Sequence, residues 1–281
     1  MRPTASPRYR PPTTARRACR PMPLVKSAAS EHITTLTLDS SERRNALSSA
    51  LLAELIAAIT TAESDGTRVM IIRAEPGVGT WSAGHDITEL PSDGSDPLAW
   101  TNPLEFLFRT IRATRFPVIA AVEGGVWGGA CDLVLTCDLV VAMRTATFAI
   151  TPARLGVPYN TAGVAHFVSS LPLNLAKEMF FTANPMTAEQ LSHHGIVNRL
   201  VSDETELTSE AHTLAARIAA LAPLAIGAIK AEMSALTDAS PLTSDTFEHL
   251  TSLRRLAWRS DDYREGIAAF TERRNPLFTG A

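Results

Sequence analysis

The sequence predicts an α/β fold in which strands and helices alternate through a spiral core and the last part of the chain is helical. The first observation is the alternation itself, because strand-like patterns are followed repeatedly by patterns of helical period. The second is the apolar run VMIIRA, residues 69–74, which is typical of a buried strand. The third is the segment from residue 209 onward, which is almost wholly helical in pattern. Together they favour parallel strands covered by helices.

The elements follow one another from residue 33 onward. ITTLTLD alternates as a half-buried strand. In the next segment one helical face carries Leu52, Leu55, Ile56 and Ile59. After VMIIRA come the helix LEFLFRTIRAT, the strand PVIAAVEG, the turn GVWGGACDL running into a helix, and the strands DLVVAM and TFAI. Beyond Thr151 we expect a loop, then AKEMFFTA, TAEQLSHHG, the strand IVNRLV and the C-terminal helices. The predicted core spans residues 24–215 and the helical C-terminal segment spans residues 216–281.

The N-terminus differs from the rest of the chain. The first twenty residues carry six arginines and several prolines, and no acidic residue precedes Glu31. Such a segment buries too little apolar surface to offset its ordering entropy, so residues 1–23 are predicted to be disordered. An arginine-rich, acid-poor segment also resembles an organelle targeting peptide, but the prolines disfavour the amphipathic helix that such a peptide needs.

The overall composition favours small-molecule chemistry in a reducing compartment. A formal net charge of -3 over 281 residues gives no basic surface for nucleic acid. The three cysteines form no CxxC pair and no plausible metal set, so we expect a cytoplasmic protein without disulfides or a metal site. No apolar run approaches the roughly 20 residues that cross a bilayer, so no membrane association is expected. Nucleotide-binding GxGxxG, Walker, HExxH and GxSxG patterns are missing from the sequence.

Two turns share a design that suits acyl chemistry. In SAGHDITEL, Asp86 followed by Glu89 is typical of a helix N-cap with a capping-box partner. In GVWGGACDL, consecutive glycines precede a helix that we expect to begin near Ala130. Each turn places unpaired N–H groups at the positive end of a helix, after a buried strand. Together they can hold one oxygen atom, although either turn alone is often only a structural turn.

With these motifs in order, the chain resembles the crotonase superfamily, which contains the enoyl-CoA hydratases and isomerases. The resemblance runs from RRNALSSALLAEL through WSAGHDITEL, AAVEGGVWGGACDLVLTCDLVVA and TFAITPARLGVPYN to REGIAAFTERRNPLF, and covers nearly everything after Leu24. It implies a crotonase-type spiral of ββα repeats, a C-terminal helical segment used in trimerisation, and a homo-oligomer that is a trimer or a hexamer. It also implies an acyl-CoA substrate whose thioester oxygen lies in an oxyanion hole.

The resemblance assigns the site residues by motif position. The oxyanion donors are the N–H groups of His85 and Gly129, so that the main chain of His85 matters more than its imidazole. The segment Ala83, Gly84, His85, Asp86 and Ile87 meets the coenzyme A moiety, and Thr151 lines the acyl pocket. Arg273 matches a basic position that contacts a coenzyme A phosphate from a neighbouring subunit.

Two departures argue against hydration, the reaction in which this superfamily uses two glutamates. The first glutamate position is Asp132, one methylene shorter, and the second is Pro152, which cannot transfer a proton. Without these two acids, the expected site consists of an oxyanion hole, uncharged pocket walls and Tyr159. That set suits decarboxylation of a malonyl-type thioester, because loss of CO2 supplies the electron pair and the oxyanion hole receives the enolate charge. Tyr159 would orient the departing carboxylate.

Within the superfamily, the chain resembles the biotin-independent methylmalonyl-CoA decarboxylases more than the hydratases. The expected activity is a carboxy-lyase acting on methylmalonyl-CoA or a close 2-alkylmalonyl-CoA, with catalytic His85, Gly129 and Tyr159 and with no metal, biotin or other cofactor. One alternative is an enoyl-CoA hydratase or isomerase that uses Asp132 alone. Another is a non-catalytic member kept for binding acyl-CoA or a partner. Asp132 can also be simply a first-turn acid, and Tyr159 a loop cap.

Overall fold

The computed structural model describes residues 23–91, 93–99, 101–237 and 244–280. The predicted disordered extension, residues 1–23, lies outside the described residues except for Pro23. The strands of the described chain are β1 (Val25–Ser30), β2 (Ile33–Leu38), β3 (Val69–Ala74), β4 (Thr80–Ser82), β5 (Val118–Val122), β6 (Gly125–Trp127), β7 (Leu139–Met143), β8 (Thr147–Ala149), β9 (Met186–Thr187) and β10 (Arg199–Val201). The helices are α1 (Ser49–Ser64), α2 (Pro103–Ala113), α3 (Gly129–Thr136), α4 (Thr161–Ser170), α5 (Leu173–Thr182), α6 (Ala188–His193), α7 (Glu204–Ala219), α8 (Pro223–Thr237), α9 (Ser244–Trp258) and α10 (Asp261–Glu272).

The strands form two sheets. The larger has the order β1-β2-β3-β5-β7-β10, and the smaller has the order β4-β6-β8-β9. Every pairing in the larger sheet is parallel except that of β1 with β2, and in the smaller sheet only β8 and β9 pair antiparallel. The predicted α/β class with parallel strands is therefore confirmed.

The larger sheet is buried on both faces, as the apolar run of β3 predicts. Met70 and Ile72 pack into the main core with α1, α2 and α3. Val69 and Ile71 point the other way, into a second cluster that α7 covers. Because neighbouring side chains of a strand point to opposite faces, a strand between two helical layers must be apolar at nearly every position.

Several elements were absent from the sequence-based prediction. Helix α4 occupies a segment that was predicted to be a loop, so that expectation was wrong. Its sequence, TAGVAHFVSS, contains a glycine and β-branched residues, which are weak helix formers, and tertiary packing overrides this preference. Strand β1 was missed because only its first residue is buried, and β4 and β6 because three residues carry no periodicity.

Helices α7 and α8 meet at a sharp bend. Helix α7 continues through residue 215, the predicted end of the core, and its side chains pack on the larger sheet up to Ala219. The two helices then differ in direction by 105°. Among the described residues no single helix is long and apolar enough to span a membrane. Within the same residues, only this bent pair taken together has the length and the apolar composition of a membrane span.

Helix α8 is attached to the core by a buried cation. Lys230 is only 7% exposed, and its ammonium lies 2.7 Å from Asp138 Oδ2. It also donates to the carbonyl oxygens of Ile111 and Phe116 and to the hydroxyl of Thr114. These acceptors surround the C-terminal end of α2, where a positive charge is favoured by the helix dipole. No other residue of α8 is buried, so much of its apolar surface faces outward.

Candidate active site

Two main-chain amides meet at one edge of the smaller sheet. Strands β4 and β6 are parallel neighbours, so the turns that follow them emerge side by side. The first turn carries His85 and the second carries Gly129, the first residue of α3. A Cβ atom built on Gly129 would lie 3.7 Å from the nitrogen of His85. Neither N–H group donates to a protein acceptor within the described chain. The two predicted oxyanion donors are therefore brought together.

The close approach of these turns requires glycine at residue 84. Gly84 has φ +79°, and a Cβ atom there would lie 2.2 Å from the carbonyl oxygen of Trp127. The turn is fixed on its other side, because Leu47 N–H donates to the Gly84 oxygen at 2.8 Å. At the second turn, Gly128 has φ 54° before α3 begins. Both backbone conformations are ones that side chains with a Cβ rarely adopt.

The imidazole of His85 is engaged on both nitrogens. Asn102 Oδ1 accepts from Leu104 N–H at 2.9 Å, so the amide group of Asn102 must be the donor to His85 Nε2, at 3.3 Å. This leaves the ring proton on Nδ1, which lies 3.1 Å from the carbonyl oxygen of Asp86. The ring is therefore held in one orientation and one tautomer beside its own N–H group.

The local structure after His85 corrects the capping-box prediction. Asp86 Oδ1 does accept from Thr88 N–H at 3.1 Å, but the helix that it caps is a single 3-10 turn, Ile87–Glu89. Glu89 does not complete a capping box. Its carboxylate accepts from the N–H and hydroxyl of Ser49, at 2.9 and 2.7 Å, and so caps α1 instead. Arg43 pairs with the second oxygen of Asp86 at 2.5 Å.

A cavity of about 610 Å³, including its opening to solvent, lies beside the two amides. Its walls are mostly apolar, with a few polar groups converging on the interior. Those polar groups include Glu105, Thr151, Tyr159 and Asn160. The remaining walls are formed by Ala83, His85, Ile87, Leu90, Leu98, Leu104, Phe108, Gly128, Gly129, Pro152, Leu155 and Val157. This combination of apolar walls and few polar groups is typical of small-molecule sites.

Tyr159 belongs to a buried polar cluster behind the cavity wall. Its hydroxyl donates to Asp132 Oδ2 at 3.1 Å, and Nδ1 of His166 lies 2.7 Å from Asp132 Oδ1. The pKa of Tyr159 is raised well above its ordinary value, first by loss of contact with water and then by the nearby carboxylate of Asp132. His166 was missed by sequence reasoning because it lies on α4, which was predicted as a loop.

Glu105 is a second residue that sequence reasoning missed. It lies on α2, is only 8% exposed, and accepts a hydrogen bond from Asn160 Nδ2. Burial raises the pKa of Glu105, the hydrogen bond from Asn160 opposes that shift, and the charge of Asp132 adds to it. The sequence feature that could have indicated its burial is its position one helical turn before Phe108, on the face of α2 that packs inward.

The other predicted site residues divide between the cavity and the surface. Thr151 lines the cavity, and its hydroxyl would lie 3.4 Å from a Cβ atom built on Gly128. Ala83 and Ile87 line it as well, from the turn that holds Gly84 and Asp86. Arg273 does not reach the cavity. It is exposed at the end of α10, with φ 56°, and its predicted contact with a phosphate stays a prediction.

The last two helices pack over one side of the cavity. Tyr263 donates to the carbonyl oxygen of Pro91 at 2.8 Å, and Trp258 Nε1 donates to that of Gly94 at 3.0 Å. Nearby, Arg254 pairs with Asp96 at 2.7 Å. These contacts hold the segment after the first turn against the C-terminal helices. The described residues contain no group of three or more histidine, cysteine, aspartate or glutamate side chains placed to hold a metal ion.

The chain is similar to several known proteins. The enoyl-CoA hydratase/isomerase family model matches residues 28–281. Methylmalonyl-CoA decarboxylase of Escherichia coli is 42% identical over 236 residues, which are 84% of this chain and 90% of that protein. Human mitochondrial enoyl-CoA hydratase domain-containing protein 3 is 34% identical over 275 residues, 96% of this chain and 88% of that one. A solved methylmalonyl-CoA decarboxylase in complex with 2-nitronate-propionyl-CoA superposes with a TM-score of 0.90 at 38% identity, covering 92% of this chain and 99% of that chain.

The first prediction concerns the approach of the two turns. Gly84→Ala and Gly195→Ala place a Cβ atom at similar positive φ values, +79° and +77°, but only the first meets other atoms within 4 Å. Both variants lose about 1 kcal/mol to backbone strain. Gly84→Ala is expected to lose a further ~1–3 kcal/mol, because the Trp127 carbonyl must move. Urea denaturation measures the free energy of unfolding, and equal losses in the two variants would contradict the prediction.

The second prediction concerns the buried acid Glu105. The pKa of Glu105 is raised in the folded protein. Its contribution to the free energy of unfolding is therefore greatest below the ordinary carboxyl pKa, and it is lost as the pH rises through the raised pKa. Glu105→Gln keeps an acceptor for Asn160 but cannot ionise. Its free energy of unfolding is therefore expected to rise relative to wild-type as the pH rises above the ordinary carboxyl pKa of about 4. Glu178→Gln, on the exposed side of α5, is the control and should show no such trend. A difference for Glu105→Gln that stays constant with pH would refute the account.

Proposed function

Because the chain belongs to the enoyl-CoA hydratase/isomerase family, we propose that it decarboxylates methylmalonyl-CoA, or a close 2-alkylmalonyl-CoA, to the acyl-CoA. The observation that carries the proposal is the proximity of the His85 and Gly129 amides beside a cavity that Tyr159 also lines, with Pro152 at the position of the second acid of the hydratases. The likeness to methylmalonyl-CoA decarboxylase over most of the chain supports it.

The amides act on the electron pair that CO2 leaves behind. When the bond between C2 and the carboxylate breaks, its electrons move into the thioester carbonyl and form an enolate. The N–H groups of His85 and Gly129 donate to the enolate oxygen, where negative charge grows during the reaction. Fixed donors of this kind are among the largest catalytic contributions, and losing one costs on the order of 3 kcal/mol in the barrier.

Tyr159 orients the departing carboxylate. Tyr159 lines the same cavity as the two amides, and in the free protein its hydroxyl donates to Asp132 Oδ2. A neutral donor is suitable there, because it holds a carboxylate without repelling it. The apolar walls also disfavour the localised charge of the bound carboxylate relative to the spread charge of the transition state. Thr151 contributes a second hydroxyl to the same wall and would help to position the acyl group.

The alternative activities fit the site less well. Hydration in this family needs two acids, and Pro152 stands at one of their positions. At the other, both oxygens of Asp132 already accept hydrogen bonds, from Tyr159 and from His166. Asp132 lies behind Tyr159 rather than on the cavity wall. Neither an isomerase that uses Asp132 alone nor a member that only binds acyl-CoA would use the paired amides and Tyr159 together.

The coenzyme A moiety is proposed to lie along the turn from Ala83 to Ile87, with its acyl end at the two amides. Arg273 is the proposed phosphate contact, supplied to the site of a neighbouring subunit. No metal, biotin or other cofactor enters the proposed chemistry. Cys131 and Cys137 are buried and unpaired, which is compatible with the proposed reducing, cytoplasmic location.

We also propose that the chain forms a homo-oligomer, a trimer or a hexamer. Large apolar side chains are strongly exposed on the C-terminal helices and on α5: Leu224 84%, Leu236 77%, Leu256 71% and Phe181 80%. Monomers rarely leave apolar surface of this extent uncovered. Sedimentation equilibrium is expected to give a mass three or six times that of the chain. A monomer at micromolar concentration would refute this part of the proposal.

The decisive experiment is to incubate the purified protein with methylmalonyl-CoA and follow CO2 and propionyl-CoA. Turnover is expected for wild-type, and Tyr159→Phe is expected to lose about tenfold to a hundredfold in kcat, since a hydrogen bond to a charged group is lost. Its affinity for propionyl-CoA, which has no carboxylate, should change little. Tyr263→Phe removes a hydroxyl whose partner is the Pro91 carbonyl, and serves as the matched control. Hydration of crotonyl-CoA without any CO2 release would overturn the proposal.

A further inference from the structure

The segment of residues 40–49 runs beside β4 and beside the turn that carries the His85 amide. The N–H of Ala83, at the start of that turn, donates to the carbonyl oxygen of Arg44 at 2.8 Å. Further along the turn, His85 and Leu47 form an isolated parallel β-bridge. The turn is therefore paired with a second piece of main chain both before the donor residue and at it.

The direction of the His85 N–H group follows from one of these contacts. This N–H shares a peptide unit with the carbonyl of Gly84, and in a planar trans peptide the two groups point in opposite directions. The Gly84 oxygen accepts from Leu47 N–H at 2.8 Å, so the His85 N–H points away from Leu47. The second donor is close to the same unit, because a Cβ atom built on Gly84 would lie 3.1 Å from the Gly129 nitrogen.

A buried hydroxyl joins the segment to the turn. Ser82, the last residue of β4, is fully buried, and its Oγ donates to the carbonyl oxygen of Asn45 at 2.7 Å. The same Oγ accepts from Gly84 N–H at 3.2 Å. A hydroxyl can serve both contacts, because it has one proton to donate and lone pairs that accept. The peptide units on the two sides of Gly84 are thus each fixed by a hydrogen bond.

Asn45 holds the segment against β4 from a position that is also fully buried. Its Nδ2 donates to the carbonyl oxygen of Trp81 at 3.0 Å, and its Oδ1 accepts from Ser40 N–H at 2.9 Å. Asn45 has φ 49°, and Arg44 before it has φ 53°, so both lie in the left-handed region. Asparagine adopts that region more readily than most residues with a side chain. The side chain and the backbone conformation of Asn45 together place its carbonyl against Ser82.

We propose that Asn45 and Ser82 are positioning residues for the His85 amide. The donor is a main-chain group, so a side chain can act on it only through the pairing of the strand and the turn that carry it. Asn45 fixes the segment against β4, and the Ser82 hydroxyl fixes Gly84, whose carbonyl carbon is bonded to the donor nitrogen. Neither side chain lines the cavity, so neither is a catalytic residue. The inference rests on the proposed function, in which this N–H donates to the thioester oxygen.

A purely structural role is the competing account, because a buried hydrogen bond that is lost costs stability wherever it lies. Thr34 on β2 provides the comparison. It is buried, and its hydroxyl lies 2.7 Å from that of Thr67, in the larger sheet. Thr34→Ala therefore removes a buried hydroxyl that does not reach the turn. If Ser82 acts on the donor, only Ser82→Ala changes the hydrogen bond to the thioester oxygen.

The test uses the full chain with propionyl-CoA that carries a heavy carbon isotope at the thioester carbonyl, and infrared difference spectroscopy measures the stretching frequency of that carbonyl. A hydrogen bond to the oxygen weakens the C=O bond, so binding to wild-type is expected to lower the frequency relative to free propionyl-CoA. Ser82→Ala is expected to lose about half of this shift, since one of the two donors is misplaced. Thr34→Ala should keep the wild-type shift.

A kinetic measurement accompanies the spectrum. With methylmalonyl-CoA, the kcat of Ser82→Ala is expected to fall about tenfold, because the enolate oxygen depends on the donor most strongly. The affinity for propionyl-CoA should change less than about threefold, because the rest of the cavity is intact. Equal losses of kcat in Ser82→Ala and Thr34→Ala would favour the purely structural account and overturn the positioning role.

Asn45→Gly is the second variant and applies if Ser82→Ala does not fold. Glycine tolerates φ 49° but removes both side-chain hydrogen bonds, so a similar partial loss of the shift is expected. A full wild-type shift in either folded variant would overturn the positioning role. No shift in wild-type would overturn it together with the proposed oxyanion contact. A wild-type shift without release of CO2 would overturn the proposed decarboxylation alone, and a reduced shift in Ser82→Ala would then still support the positioning role.

Discussion

The parallel pairing of β4 with β6 is the constraint on which the site depends. It brings the ends of two short strands to one edge, so the amide nitrogen of His85 lies only 3.7 Å from where a Cβ atom on Gly129 would be. The spacing tolerates no Cβ atom at Gly84, whose neighbour is the Trp127 carbonyl oxygen 2.2 Å from where that atom would be. Because the donors belong to the main chain, their position is set by strand pairing and not by side-chain rotamers. A preorganised oxyanion site gains most from donors that need no rearrangement.

The polar cluster behind the amides shows how charge is accommodated in the core. Asp132 and Glu105 are both buried carboxylates, and the charge of Asp132 adds to the rise in the pKa of Glu105. Two hydrogen-bond donors, Tyr159 and His166, satisfy Asp132, while Asn160 donates to Glu105 and caps α4 through its own oxygen. A buried charge without such partners would be strongly destabilising. The cluster therefore keeps two buried carboxylates paired with donors from α4 and from the segment before it.

The sequence predicted the framework better than the interior of the site. The apolar run of β3 and the glycines before α3 have direct physical meaning, since one requires burial on two faces and the other a tight turn beside a helix. His166 and Glu105 could not be assigned from local pattern. His166 lies 34 residues from Asp132, on a helix of weak propensity, and only the packing of α4 against α3 brings them together. The Asp86–Glu89 capping box failed for a similar reason, because Ser49, 40 residues away, offered Glu89 two donors.

The position of the acids explains why this cavity suits loss of CO2 better than addition of water. Adding water needs one group to take a proton from the nucleophile and another to give a proton to carbon, both on the cavity wall. Here Pro152 stands at the position of one such group, and Asp132 does not line the cavity and has both oxygens occupied. The acid that does line the cavity, Glu105, already accepts a hydrogen bond from Asn160. A malonyl-type thioester needs no base, since the broken C–C bond supplies the electrons. What the protein must provide is stabilisation of the enolate oxygen, a neutral grip on the carboxylate, and a single proton afterwards. In the proposed reaction the two amides would meet the first of these needs and the Tyr159 hydroxyl the second.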